Sequence, residues 1–449
     1  MTALELEPAG PVVARLEAPS SKSVTNRMLV CAALAAGTSL LGRPLASEDS
    51  AAMRTALGRL GARVDDVGAA DGEPPAAAAW RVAGTAGRLR SPDAALDARE
   101  SGTTMRFLAA VATLAPGPVR LTGRPGLLAR PVGPLLGALR QLGAAIEDQD
   151  GFPPVTAAGG GLAGGDAAVD ASASSQFASA VLLAAPFARR SVTLRAEGLA
   201  APDYVELTAQ VMRGFGAEVL RLGRAAWRVE AGVPYRATDA EVEHDASAAA
   251  HLFALAAATG GSVTVTNAEA GSLQPDAALP TLLEAMGATV TRDGPALTVA
   301  GPEALEPVDA DLGAMPDQVT TVAALAALAA GRSRLRNVAV ARGHETDRLH
   351  ALATELAALG VGVEELPDGL VIDGGGARGP ATVHTRGDHR LAMAFAAVAA
   401  KLPGVRIEDP DCVAKTYPGF WDDLARAGLR RRTPALSSLP EPPARPPTS

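Results

Sequence analysis

One pattern of apolar and polar positions recurs along the chain. An Ala/Leu-rich stretch with helical spacing is followed by a short alternating run of strand type. A polar loop, a second amphipathic stretch, a glycine and another strand-like run complete it. The alternating runs are TSLLGR from Thr38, PVRLTG from Pro118, SVTLRA from Ser191, SVTVTN from Ser262, SRLRNV from Ser333 and VRIEDP from Val405. The glycines are Gly61, Gly143, Gly216, Gly287, Gly360 and Gly428, at spacings of 82, 73, 71, 73 and 68 residues. A glycine there suits the left-handed residue that closes a helix before a strand starts. The unit therefore reads helix, strand, loop, helix, glycine, strand, with the remaining residues forming further strand and turn. Six copies predict a six-fold repeated α/β protein, three copies to each of two domains. The repeat is too long for a generic solenoid, whose units commonly run about 20–50 residues.

Composition narrows the function. A chain of 449 residues that is 48% hydrophobic can bury two domain cores. Its net charge of -8 lacks the positive field that nucleic acid or an anionic membrane requires, so an anionic ligand must be held by a local cluster. The only lysines are Lys22, Lys401 and Lys415, in a background where every other cation is arginine. A lysine in such a background marks a place where a compact, deprotonatable ammonium is of use. Two cysteines, Cys31 and Cys412, make neither a disulfide framework nor a zinc site and fit a reducing cytoplasm. The N-terminus has no secretory pattern, and the longest apolar run, near Val322, falls short of a membrane span. Residues 433–449, rich in Pro and Ser, read as a disordered tail.

The unusual residues gather where the first helix of each unit begins: Ser21-Lys22-Ser23 through Arg27, Ser101-Gly102 through Arg106, Ser174-Ser175-Gln176, His244 through Ser247, Pro316-Asp317-Gln318, and Gly387-Asp388-His389-Arg390. Each is followed by an apolar helix of about four turns. N-capping accounts for one polar residue per helix, but not for Lys22 with Arg27 or for Asp388-His389-Arg390. Helix N-termini offer free N–H groups and a positive dipole end, so several converging on one cleft make an anion site inside an acidic protein. A second set lies between the strand and the second helix: Arg124 and Arg130, Tyr204, Arg342 through Arg348, and Lys415.

Other signals carry no chemistry. GGGARG from Gly374 is followed by Pro380 and a strand-like run, so it reads as a turn and not a dinucleotide fingerprint. No Walker loop or G-x-S-x-G elbow occurs, and the histidines form no metal set, so neither a cofactor nor a metal is expected.

At SKSVTNR, SGTTMR, SSQ, RGHETDR, GDHRLAM and AKTYP, in that order from Lys22 to Pro418, the sequence resembles the 3-phosphoshikimate 1-carboxyvinyltransferases, also called EPSP synthases. The resemblance implies a two-domain inside-out α/β barrel of six βαβαββ units, three per domain. One discontinuous domain would take residues 1–21 and 241–432, and the other 22–240. It also implies the reaction: phosphoenolpyruvate and 3-phosphoshikimate give 5-enolpyruvylshikimate 3-phosphate and phosphate, on the way to chorismate and the aromatic amino acids. Carried over by motif, Lys22, Ser23, Arg27, Ser174, Ser175, Gln176, Tyr204, Asp317 and His344 would hold 3-phosphoshikimate. Lys22, Gly102, Arg130, Gln176, Arg348, Arg390 and Lys415 would hold phosphoenolpyruvate, and Lys22, Asp317 and Glu345 would carry the catalysis. A monomer in the cytoplasm, with no nucleic-acid or membrane partner, is the expectation.

The sequence departs from the family pattern at four positions. His344 stands where many members have lysine, Glu100 replaces an amide, Gly126 an arginine, and Ala201 a phosphate-binding serine. These changes leave two alternatives: a diverged paralogue with a related acceptor, or a noncatalytic anion-binding protein on the same fold. The related UDP-N-acetylglucosamine enolpyruvyl transferases carry a reactive cysteine in the loop here occupied by Arg124 to Ala129, which has none.

Overall fold

The computed structural model describes residues 3–8, 10–68, 78–199 and 201–432. The tail expected at 433–449 lies outside the described residues. Six four-stranded sheets share one pairing scheme. In one of them, Gly165–Asp170 runs parallel to Val192–Glu197, which pairs antiparallel with Ala226–Val229, and Val219–Gly223 closes the edge antiparallel. The parallel step is the crossover that needs a helix between its strands, and the antiparallel steps fill the rest of the repeat. This is the βαβαββ unit that the resemblance implies, and it contains the helix, strand, helix, glycine, strand order read from the repeat.

The first helix of each unit is apolar on every side, so it can only be buried. In Val319–Leu328 every residue through Ala327 is buried, and Ala246–Thr259 is nearly as enclosed. The Ala246, Val319 and His389 helices pack on one another, as do the Lys22, Gly102 and Gln176 helices, with sheets outside. This places helices in and sheets out, the inside-out arrangement. These helices span 9–14 residues, shorter in places than the four turns expected. Gln176–Ala184 stops early because Pro186 diverts the chain into a 3-10 turn, and Pro316–Gln318 spends the start of its helix as another.

All six signature glycines have φ between +81° and +114°. Each follows the C-cap of a second helix, and the residue after it donates its N–H back to the carbonyl five residues earlier, as Ala62 does to Leu57 at 3.1 Å and Leu429 to Leu424 at 3.0 Å. This Schellman closure needs the left-handed residue that glycine supplies without a Cβ penalty.

Two separate hydrophobic cores form, one from Val24 to Val242 and the other from Leu4 to Ala18 together with Ala248 to Leu429. The chain passes between them twice, and the two passages are bonded to each other. Ser20 bridges His244, the Ser21 N–H donates to the Glu243 carbonyl at 2.8 Å, and the Asp245 N–H donates to the Pro19 carbonyl at 2.7 Å. Asp245 caps both departing helices, accepting from the Ala248 N–H at 2.9 Å and the Lys22 N–H at 3.1 Å. One carboxylate thereby aims the starts of two helices, one from each core, at the same space. No helix among the described residues is long and apolar enough to cross a membrane.

Candidate active site between the two cores

The helix starts converge on a cleft with about 1400 Å³ of empty space, part of it open to solvent. Lys22, Ser23, Arg27, Gly102, Arg130, Ser174, Ser175, Gln176 and Tyr204 line one wall. Asp317, His344, Glu345, Arg348, Arg390 and Lys415 line the other. Every residue singled out for substrate contact or catalysis therefore faces one space. Tyr204 stands in the first turn of the helix Asp203–Gly214 and not in the loop before it. Arg124 is exposed at the start of a short helix and does not line the cleft.

The first wall holds cations among neutral groups. Arg27 is 2% exposed; its Nε donates to Thr208 Oγ1 at 2.7 Å, Nη1 to the Ser23 carbonyl at 2.9 Å, and Nη2 to the Tyr204 carbonyl at 3.3 Å. Arg106 Nη1 donates to Gln176 Oε1 at 2.7 Å, and its guanidinium lies 5.2 Å from the Phe177 ring centroid. Neither guanidinium, nor that of Arg130, has a carboxylate partner among the described residues. Burial draws Arg27 down to about 10, and burial together with the neighbouring Arg130 charge does the same to Arg106. Both stay charged at neutral pH. Lys22 is the exception on this wall, with Nζ 3.4 Å from Asp49 Oδ2. A side chain at Gly102 would meet Arg106 Nη1 at 3.3 Å and Arg130 Nη1 at 3.7 Å, so the glycine leaves the space between these guanidinium groups and the cleft open.

The second wall is a continuous ion-pair network. Asp317 Oδ1 lies 2.7 Å from Arg348 Nη1, and Oδ2 lies 2.9 Å from Arg390 Nη2. Arg348 turns its Nε to Asp388 Oδ2 at 2.8 Å, and Asp388 is fully buried. Glu345 accepts from Lys415 Nζ at 2.9 Å on one oxygen and from His389 Nδ1 at 2.9 Å on the other. Burial by itself would raise both acids. Arg390, His344 and Arg348 outweigh it at Asp317, and His389, Lys415 and Arg348 do so at Glu345, holding both well below the ordinary carboxylate range. Both are carboxylates in the free protein. His344 Nδ1 lies 3.0 Å from Arg348 Nη1 and 3.4 Å from Asp317 Oδ1, so its ring joins this network where the family usually has lysine. Burial lowers the His389 imidazole despite Glu345, and its Nε2 is enclosed without a partner among the described residues.

Glu345, Asp388 and His389 each present a ligand atom within 4.8 Å of one another. Those atoms already serve Lys415, Arg348 and one another, and two cations adjoin them, so the chemistry is that of an ion-pair relay.

Asp49, Arg106, Asp388 and the amide Gln274 carried no individual role in the sequence. Gln274 accepts from Ser21 Oγ at 3.0 Å and the Ala246 N–H at 3.1 Å, and donates to the His244 carbonyl at 2.6 Å. Asp388 had a signal, an acid beside His389 and Arg390 that capping alone did not explain. Asp49 and Gln274 had none. Of the four departures, His344 and Ala201 line the cleft. Glu100 and Gly126 face each other: a Cβ on Gly126 would come within 3.0 Å of Glu100 Oε2.

A two-core protein of six like units, with lysine, arginine and carboxylate groups converging between the cores, has a site built for small anionic ligands. Residues 6–424 match the model of the EPSP synthase family, 3-phosphoshikimate 1-carboxyvinyltransferase. The chain is 41% identical over 424 residues to the 3-phosphoshikimate 1-carboxyvinyltransferase of Methanoculleus marisnigri, covering 94% of this chain and 98% of that one. It is 40% identical over 414 residues to that of Nostoc punctiforme, covering 92% and 95%. Among solved structures, the EPSP synthase of Acinetobacter baumannii superimposes with a TM-score of 0.81 at 26% identity, over 97% of this chain and all of that one. The enolpyruvyl transferase NikO of Streptomyces tendae shares the fold, with a TM-score of 0.77 at 19% identity over 96% of this chain and 98% of the other. The chain belongs to the EPSP synthase family.

Proposed function

We propose that the cleft transfers the enolpyruvyl group of phosphoenolpyruvate to the 5-hydroxyl of 3-phosphoshikimate, giving 5-enolpyruvylshikimate 3-phosphate and phosphate. The observation that carries this reading is the meeting of Lys22, Asp317, Glu345 and Lys415 in one space with five cleft-lining arginines. The acceptor lies on Ser23, Arg27, Ser174, Ser175, Gln176 and Tyr204, with Asp317 on its 4- and 5-hydroxyls and His344 beside. The donor lies between Gly102, Arg130 and Gln176 on one side and Arg348, Arg390 and Lys415 on the other, and Lys22 reaches both substrates. An ammonium protonates the donor methylene, the 5-hydroxyl attacks the cation-like carbon, and its proton passes through a carboxylate to the phosphate ester, so that the phosphate leaves as hydrogen phosphate. Glu345 then takes a proton from the new methyl group as phosphate leaves, which restores the vinyl ether. Glu345 and Lys415, 2.9 Å apart, exchange the proton that this cycle borrows and returns.

The two domains of this reading are 22–240 and the discontinuous 1–21 with 241–432, hinged where the passages cross. Closure on the first substrate excludes water and completes the second site. The protein acts as a cytoplasmic monomer; the free thiols of Cys31 and Cys412 suit a reducing compartment.

Phosphate release from purified protein with both substrates tests this reading, beside Lys22→Ala and Glu345→Gln. Turnover in the wild type that collapses in both variants is expected. A folded wild type that releases no phosphate at millimolar substrates overturns it.

A further inference from the structure

Arg106 has no established part in the site, yet its surroundings are those of a ligand-binding cation. It lines the cleft beside Gly102 and Arg130. Its Nε is enclosed without a partner, and its charge meets one amide oxygen, one aromatic ring and a second guanidinium. A guanidinium withdrawn from water is normally matched by a carboxylate. Here the nearest charge is of the same sign, and burial and Arg130 both disfavour the cation. The Gln176 bond and the Phe177 ring leave the charge of Arg106 unmatched, whereas an anion entering between the two guanidinium groups would relieve both the missing partner and the repulsion.

Arg106 also fixes an amide. Its Nη1 donates to Gln176 Oε1, which leaves the Gln176 Nε2 to donate; that nitrogen lies 3.2 Å from Thr103 Oγ1, at the same helix start. The pair thus presents donors only, in a region where backbone N–H groups of the Gly102 helix also point outward.

We propose that Arg106 is a further donor-binding residue: with Arg130 it forms a two-guanidinium seat for an anionic group of phosphoenolpyruvate, and it holds Gln176 with its NH2 toward that group. This rests on the placement of the donor at Gly102 and Arg130 given above.

The test is steady-state kinetics of Arg106→Gln and Arg106→Lys, with Arg130→Gln as reference, and calorimetric binding of 3-phosphoshikimate alone to each. Loss of one charge-assisted contact predicts a KM for phosphoenolpyruvate raised roughly tenfold or more in Arg106→Gln, with the lysine variant between it and wild type. The 3-phosphoshikimate affinity stays within about threefold. The rise in donor KM with added salt becomes shallower. If Arg130→Gln raises the donor KM and Arg106→Gln does not, the inference fails while the site assignment stands. If neither does, the site assignment itself fails. If Arg106→Gln weakens both substrates and lowers the melting temperature together, Arg106 is structural support through Phe177, and the inference is overturned. Should that variant not fold, the lysine variant decides: it keeps charge and stacking but loses the fork, so an unchanged donor KM counts against the seat.

Discussion

The two walls of the cleft hold their charges in opposite ways. On the wall built from 22–240, Arg27 and Arg106 donate only to neutral oxygens and Arg130 has no ion pair among the described residues, whereas Arg348, Arg390 and Lys415 on the other are each tied to Asp317, Asp388 or Glu345. An unmatched buried cation costs stability that a bound anion returns, so the first wall is strained until ligand arrives. The second wall is already neutralised and rigid. It must trade internal partners for substrate, which suits groups that pass protons between one another. Lys22 with Asp49 belongs with the second kind although it stands on the first wall, consistent with a lysine that handles protons rather than only holding charge.

Removing one acid from the second wall is the strongest way to break this contrast. Asp388→Asn takes from the buried Arg348 one of its two carboxylates, the one that is itself fully buried, while keeping a side chain able to cap, and it should cost up to about 3–5 kcal/mol in denaturant unfolding. Arg27→Gln on the first wall removes an unmatched charge and should change stability by less than about 1 kcal/mol. Equal losses in the two variants would erase the distinction.

Acidity sharpens the comparison within the second wall. Asp276 is 1% exposed, bonded to Ser247 Oγ, with Oδ1 unpartnered, and faces Asp317 and Arg390. Burial and then the Asp317 charge push it up to about 6. A raised acid favours the folded state when protonated, so its contribution is present below the unfolded value near 4 and is lost as pH rises through about 6. That is worth up to about 3 kcal/mol. Asp317 and Glu345 are depressed, so theirs is present above about 4 and disappears as pH falls below it. Urea midpoints across pH 3–8 should therefore peak on the mildly acid side. In Asp276→Asn the peak should flatten toward neutral pH, and a wild-type optimum above pH 7 would contradict the assignment.

A further effect concerns ligand. Saturating 3-phosphoshikimate at about 100 times its Kd should stabilise the wild type by about 2.7 kcal/mol. Arg27→Gln at the same concentration should recover only part of that shift in melting temperature. An undiminished shift would remove Arg27 from the acceptor site.

Much of this was legible in the chain because the fold repeats. Six glycines that must be left-handed, six alternating runs and six polar helix starts describe the units without any long-range information, and helices buried on all sides read as continuous apolar stretches. The cleft was legible to the extent that its residues share one place in the repeat: Lys22, Asp317 and Arg390 stand near first-helix starts, and Arg348 begins a second helix. The partners were not. Asp49 lies in an ordinary capped first turn and Gln274 in a loop, so nothing local distinguishes them from solvated residues, and Arg106 was visible only as the end of one polar helix start. Their roles come from contacts across dozens or hundreds of residues. The contrast between paired and unpaired arginines is likewise invisible in sequence, where every arginine reads alike.

The central claim is that the first wall captures the acceptor through its unmatched Arg27 before the arginines of the second wall take part. Calorimetric titration of 3-phosphoshikimate, without phosphoenolpyruvate, into wild type, Arg27→Gln and Arg390→Gln measures this directly. The account predicts that affinity falls at least roughly tenfold in Arg27→Gln and stays within about threefold in Arg390→Gln. The reverse order, with Arg390→Gln the more damaging, would contradict it.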